Sequence, residues 1–391
     1  MRLYNFLVFF TAALLAIICA CHLWLVVQDR LHGHQLIFDH RSDATIQGIT
    51  KHAARVSQWK ITELRAIDSQ RIYMHDTTGY GDLNARQCCS VESAAKNNPH
   101  REIQLFVSRR ELNDDQQQKL LDTNSSLTPW QTVLQHYPNV EVISYDEAEY
   151  FNDTTLEPWY TEGQWQQSRQ PEFYLSEYVR AMSLFRGGGL YLDLDSVLSL
   201  KPLTGSKWQN FFVVRRNDRV EYETSTSNKV FHLLHGHHLI DMLILKLVEA
   251  GDELQAEPFA TALDASLERI CNFKDNGLLD PGNNQCVDVR LSEERDVFLQ
   301  PLDTLFSKRS FSRLKENGGG VNEQSVKQLI KTVVDAQEAV LMTWDSIATI
   351  LHRNKTFFES PGYTSVTGKT LLSTLIAENC PLTAARETNF I

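Results

Sequence analysis

The sequence has no cluster of lysine and arginine: 49 acidic residues against 38 basic ones leave a formal net charge of -11, and the densest basic features are the arginine pairs beginning at Arg109 and Arg215. Binding to a phosphate backbone draws on such clusters, so no nucleic-acid partner is expected. Low-complexity tracts are also missing, and 42% hydrophobic residues over 391 positions suit one large or two ordinary globular domains. Of seven cysteines, none has C-x-x-C or Cys/His zinc spacing. His232, His235, His237 and His238 crowd one segment but lack H-E-x-x-H spacing, and so read as surface or core histidines.

What is present begins with an apolar run, Leu3–Val27, of roughly the two dozen residues a helix needs to cross a bilayer. A cleaved signal peptide is the rival, with "AIICA" as a small-residue cleavage site, but such peptides usually have a shorter apolar core. A signal anchor over residues 3–27 behind a cytoplasmic tail of residues 1–2 is therefore expected. Arg2 before the run and Asp29 and Arg30 after it barely decide the orientation. The glycosylation sequons at Asn124, Asn152 and Asn354 favour a lumenal body, hence a single-pass type II membrane protein. Cys19 and Cys21 fall inside the run. Cys88, Cys89, Cys271, Cys286 and Cys380 are odd in number, so one thiol is left over, and Cys271 with Cys286 is the candidate disulfide, closing a Gly/Asn-rich loop.

Residues 28–67 are polar with little period-2 pattern and read as a stem. From residue 68 to 391 a domain follows, with a first half over residues 68–203 and a second over 204–391. Its first half alternates strands and helices. Arg71–Thr77, Ile103–Ser108 and Val140–Asp146 read as strands, Ser90–Asn98 as a capped helix, and Pro129–Tyr137 as a helix with proline in its first turn. Such alternation predicts an α/β fold, a mainly parallel sheet flanked by helices. Phe231–Ala250 reads mostly as helix.

The stretch "LSEYVRAMSLFRGGGLYLDLDSVLSLKPL", Leu175–Leu203, carries the chemistry. Ser176 can cap a helix with Val179, Met182, Leu184 and Phe185 on its apolar stripe, and Gly187 can stop it. In the following "LYLDLD", side chains alternate, so Tyr191, Asp193 and Asp195 share one face. Two carboxylates side by side repel unless one is protonated, reaches solvent, or shares a cation. A lone D-x-D is most often an acidic strand end. Here it closes a helix, glycine turn and strand, and ligands of open α/β sheets bind at the carboxyl ends of strands.

Together with "CSVESAA" (Cys89–Ala95) and "LLSTLIAENCP" (Leu371–Pro381), this block resembles the α1,4-glycosyltransferase family, the α1,4-galactosyl- and α1,4-N-acetylglucosaminyltransferases, over about Arg71 to Leu382. The resemblance implies a GT-A-like fold as a single lumenal domain behind a membrane anchor, and a Golgi enzyme. It also implies a UDP-sugar donor, Mn2+, a glycolipid or glycan acceptor, and transfer with retention to form an α1,4 bond. By the same resemblance Glu177, Arg180, Tyr191 and Asp193 face the donor, Asp193 and Asp195 serve the metal, and Asn228 lies on the acceptor side. No catalytic nucleophile is singled out. The chain departs from the family pattern at Glu177 (aspartate in the family), at "MTWD" with Met342 for histidine and Asp345 for asparagine, and at Glu257–Pro258 and Asn228–Lys229. Asp345 is the nearest substitute oxygen ligand for the missing histidine, since a thioether suits manganese poorly. Two other readings compete. One is a haloacid-dehalogenase-type phosphatase with Asp193 as nucleophile; the other is a non-catalytic relative that binds UDP-sugar or glycan or assists a partner transferase.

Overall fold

The computed structural model describes residues 55–58, 70–79, 83–109, 133, 135–216, 224–250, 257–273, 286, 288–299, 340–344 and 371–386. The chain divides into two units, Met1–His52 and Ala53–Ile391, and every described residue belongs to the second. The run Leu3–Val27 lies outside the described residues, as do Asn124, Asn354 and Asp345. Among the described residues no helix is long and apolar enough to cross a membrane.

In chain order the elements are β1 (Arg55–Gln58), β2 (Ile72–Asp76), α1 (Ala85–Asn97), β3 (Ile103–Ser108), β4 (Val140–Tyr145), α2 (Glu147–Phe151), α3 (Glu157–Glu162) and α4 (Pro171–Gly187). There follow β5 (Gly189–Leu192), β6 (Val197–Ser199), β7 (Phe211–Arg216), β8 (Thr224–Leu233), α5 (His238–Ala250) and α6 (Pro258–Cys271). Last come β9 (Arg290–Glu293), α7 (Glu294–Val297), β10 (Leu341–Thr343), α8 (Leu371–Asn379) and α9 (Pro381–Arg386).

One sheet of eight strands runs in the order β1-β4-β3-β2-β5-β8-β7-β9. Its first five strands are mutually parallel, β8 is antiparallel to β5 and β7, and β9 is parallel to β7. The mainly parallel sheet flanked by helices therefore forms. Strand alternation splits the core in two: Ile72, Met74, Leu105, Val142, Leu190 and Leu192 pack on the α1 face with Val91 and Ala94. Tyr73, Phe106, Ile143 and Tyr191 pack on the other, with Val179 and Met182 of α4, Leu243 of α5 and Leu263 of α6. Burial on both faces is what a parallel sheet covered by crossover helices requires.

Several expectations need correction. Arg55–Gln58, inside the expected stem of residues 28–67, is a strand paired in parallel with β4; four residues without alternation give no period signal, and the partner strand supplies the pairing. Within the expected domain of residues 68–391, strands β7, β8 and β9 of the second half extend the same sheet as the strands of the first. Helix α1 starts at Ala85 rather than Ser90, because Asn84 and Gln87 form a capping box. Ser176 is not a cap: α4 begins five residues earlier at Pro171, and the Ser176 hydroxyl donates to Phe173 O inside it. Phe231–Leu233 belongs to β8, and helix α5 starts only at His238.

Helix α4 ends where expected, in the three glycines. Gly188 and Gly189 have φ of 63° and 120°, and a side chain at Gly188 would run into the His235 backbone nitrogen at 2.3 Å. Only glycine allows that turn and that close approach. Cys271 and Cys286 are bonded, with Cα atoms 5.4 Å apart, and a second bridge joins Cys89 to Cys380; among the described residues Cys88 is the cysteine outside a disulfide, buried with its Sγ donating to Leu83 O.

A pH prediction arises at α6. Asp264 Oδ1 accepts the Thr226 amide at 3.0 Å on β8, and burial lifts its pKa from 3.8 to about 6. The folded state thus holds this proton more tightly than the unfolded one. The stability it contributes is full below the unfolded pKa and is lost as pH rises through about 6. Asp264→Asn keeps an acceptor for Thr226 and stays neutral. In denaturant melts, wild type should therefore lose stability relative to the variant between about pH 4 and 6, then run parallel to it. A constant difference across that window refutes the assignment.

Candidate active site

The carboxyl ends of β2 and β5 adjoin where the strand order turns: β3 and β4 lie on one side of β2, and β5 on the other. This switch point is where open α/β sheets leave a crevice for ligands. Asp76 ends β2, and Asp193 follows β5 directly.

The aspartates do not sit on a strand as the alternation of "LYLDLD" suggests. Strand β5 stops at Leu192 and Asp193–Ser196 form a turn, with the Val197 amide donating to Asp193 O at 3.1 Å. Asp193 Oδ1 accepts from the Ser196 amide at 2.8 Å and from its hydroxyl at 2.6 Å, the side-chain pattern by which aspartate builds turns. Asp193 Oδ2 accepts from Tyr191 at 3.3 Å and faces Arg180 Nη2 at 3.6 Å. Asp195 Oδ1 accepts from Gln87 Nε2 at 2.7 Å. Among the described residues no hydrogen bond is made to its Oδ2, and the side chain reaches solvent. The protein crowded around this carboxylate raises its pKa, and the negative charges of Asp193 and Asp76 raise it further. The repulsion foreseen between the two aspartates is real, although a turn rather than a strand creates it.

Gln87 gave no chemical signal in the sequence. As the N3 residue of α1 it accepts the Asn84 amide through Oε1 and so turns its Nε2 toward Asp195. The N-x-x-Q spacing of a capping box was the only legible trace.

Behind the turn lies a buried ionic cluster. Arg180 is 3% exposed. It donates through Nε to Ser176 O at 3.1 Å and through Nη1 to Asn228 O at 2.6 Å, and it pairs with Glu177 Oε1 at 3.1 Å. Its guanidinium carbon lies 4.9 Å from the Tyr191 ring centroid. Burial opposes the arginine's charge, but Glu177, Tyr191, Asp193 and Asp195 outweigh it and hold the pKa up. Glu177 is fully buried, and burial pushes its pKa up against Arg180, the Phe259 amide and Asn228. Its Oε1 also accepts Asn228 Nδ2 at 2.9 Å, and its Oε2 accepts the Phe259 amide at 3.2 Å. The four residues expected to face the donor are thus neighbours. Asn228, expected on the acceptor side, is bonded to Glu177 beneath them. His75 stacks on Tyr191 at 5.4 Å, and burial lowers its pKa to about 3, so it stays neutral.

Met342 is fully buried on β10, in register with Leu198 on β6 next to the aspartate turn. Where the family has a histidine, this chain has a packed core residue. The Trp344 amide donates to Ser196 O at 3.0 Å, so the "MTW" segment buttresses that turn. The two outer blocks of the resemblance also meet. Buried Glu92 of "CSVESAA" accepts the Leu382 and Thr383 amides at 2.8 and 2.9 Å at the start of α9, beside the Cys89–Cys380 bridge.

The donor chemistry fits a hard divalent cation such as Mn2+: Asp195 is an exposed carboxylate, and oxygen is the ligand type such ions take. Among the described residues no group of three or more His, Cys, Asp or Glu is gathered so as to hold a metal ion.

Residues 84–212, which hold α1, the ionic cluster's arginine and glutamate, and both aspartates, match the family described as a glycosyltransferase sugar-binding region containing a DXD motif. The chain's curated relatives include lactosylceramide 4-alpha-galactosyltransferase. The Homo sapiens protein is 30% identical over 139 residues, 34% of this chain and 36% of the relative. The Rattus norvegicus protein is 37% identical over 125 residues, 30% of this chain and 31% of the relative. The match therefore spans well under half the length of these relatives. Among solved structures, galactosyltransferase LgtC with donor and acceptor sugar analogues is 13% identical at a TM-score of 0.36, covering 82% of this chain and 97% of that one.

Proposed function

We propose that the protein is a retaining glycosyltransferase of GT-A-like fold. It moves galactose or an N-acetylhexosamine from a UDP-sugar to a terminal sugar of a glycolipid or glycoprotein glycan and forms an α1,4 linkage. The observation that carries the proposal is the pair Asp193 and Asp195 at the switch point of the sheet, the first held by the turn and the second exposed with one hydrogen bond from Gln87. A UDP-sugar brings phosphates that bare aspartates would repel, and a shared cation reconciles the two. Asp195 would hold that Mn2+, and Asp193 would meet the donor's ribose or sugar. When bound, the metal stabilises negative charge on the departing phosphate as a Lewis acid. With no carboxylate nucleophile singled out, the acceptor hydroxyl attacks the anomeric carbon from the face that UDP leaves. The carbon–oxygen bond to the β-phosphate breaks, and that phosphate oxygen takes the acceptor's proton.

The apolar run Leu3–Val27 and the sequons support a type II Golgi membrane protein with a lumenal body. Of the sequons, Asn152 is partly exposed at the end of α2. The second reading, a non-catalytic relative, is favoured by the buried Met342 in place of a ligating histidine. The full-length chain purified in detergent, incubated with Mn2+ and an array of UDP-sugars and glycolipid acceptors, should turn over at least one donor. If no donor is transferred or hydrolysed, the enzymatic reading falls; release of phosphate from simple phosphomonoesters would point to the phosphatase.

A further inference from the structure

Three departures from the family pattern meet at one buried point. Glu177 stands where the family has aspartate, and its two oxygens reach Asn228 of Asn228–Lys229 and the Phe259 amide just after Glu257–Pro258. That amide is the first N–H of α6, since Pro258 has none, and the helix's own N-cap residue, Glu257, makes no side-chain cap hydrogen bond. The first amides of a helix have no partner within it, and a carboxylate there is favoured by the helix dipole. Glu177 thus caps α6 from another helix while its Oε1 holds Arg180 Nη1, and Arg180 Nη2 faces Asp193. An aspartate, one methylene shorter, could not span both.

We infer that Glu177 is a positioning residue that fixes Arg180, and through it Asp193, against the N-terminus of α6, rather than a group that touches the donor sugar. The inference rests on the donor-site reading above. Its physical ground is that the carboxylate is fully buried and both oxygens are already engaged by the protein. Releasing them to a sugar hydroxyl would leave Arg180 and the Phe259 amide short of partners in the interior, which costs more than one new hydrogen bond returns. Glu177 and the start of α6 then act as one unit, and Glu177→Asp alone should harm the site.

The test is a double-mutant cycle on the full-length protein with Mn2+, using Glu177→Asp, Arg180→Lys and the double variant. Affinities for UDP-sugar are measured calorimetrically, and melting temperature confirms folding. Glu177→Asp should weaken donor binding about tenfold, the scale typical of supporting residues. In the Arg180→Lys background it should add little, because interacting residues are not additive. Independently of any donor, hydrogen exchange should show the amides at the start of α6 protected in wild type and opened in Glu177→Asp. Unchanged exchange there overturns the inference. So do fully additive binding losses, or donor binding improved by Glu177→Asp, while wild-type binding leaves the functional reading standing. If wild type binds no UDP-sugar at all, the functional reading itself has failed and this role in donor binding goes with it.

Discussion

Asp195→Ala should abolish measurable transfer, a loss of at least about a hundredfold, and should leave the melting temperature unchanged or slightly raised. The two halves of this expectation come from the same geometry. Asp195 is exposed and packs no core, so its removal leaves no cavity, and the only described bond lost is the one from Gln87. The charges of Asp193 and Asp76 meanwhile press on Asp195 and raise its pKa. Deleting it relieves that repulsion in the folded protein, whereas it removes a carboxylate oxygen to which no described hydrogen bond is made and which a cation could take. Asp195→Asn separates charge from shape, because the amide can still accept the Gln87 hydrogen bond but cannot neutralise a divalent ion. Initial rates against Mn2+ concentration, with thermal melts of each variant, check this. Wild-type rates for Asp195→Ala in saturating Mn2+ would remove the metal-site assignment.

The second large effect is expected on stability, at Glu92, farther along α1 from Gln87. Glu92 is fully buried. It accepts the Leu382 amide at 2.8 Å, the Thr383 amide at 2.9 Å and hydroxyl at 2.7 Å, and the Tyr137 hydroxyl at 3.2 Å. Hydrogen bonds to a charged group contribute about 1.5–3 kcal/mol each, and amides stranded in the interior carry their own desolvation cost. Glu92→Ala should therefore destabilise the protein by about 3–5 kcal/mol. A fall of roughly 5–15 °C in melting temperature follows for a chain of this size. Glu92→Gln, which retains one acceptor, should fall between. The Cys89–Cys380 bridge keeps α9 tethered nearby, so the loss should be deeper once that bridge is also removed. A Glu92→Ala protein that melts with wild type would mean that the C-terminal helices are held by the disulfide and packing alone.

Much of the fold was legible because its signals are local. Ile103–Ser108 could be read to the residue, since a run of apolar and β-branched side chains bounded by polar ones depends on nothing distant. The helix before the three glycines was legible for the same reason, as was the Cys271–Cys286 pair, which closes a short loop. Boundaries failed where the deciding partner was elsewhere or unnoticed. α1 begins early on the Asn84–Gln87 capping box, α4 begins at Pro171, and β1 exists because β4 lies alongside it.

At the site the division is sharper. Sequence alone determined that Asp193 and Asp195 would be close and in conflict, and that a helix carrying Glu177 and Arg180 would precede them. Those conclusions need only residue types within one stretch of chain. Tertiary structure decided which carboxylate is free, because Ser196, Tyr191 and Arg180 engage Asp193, whereas only Gln87, from a helix more than one hundred residues earlier in the chain, holds Asp195 by a described hydrogen bond. It likewise decided that Glu177 is buried at the start of α6 and that Met342 is core. Each outcome depends on contacts between segments far apart in sequence, where burial removes water as the alternative partner and leaves each polar atom to whichever group the fold places within reach.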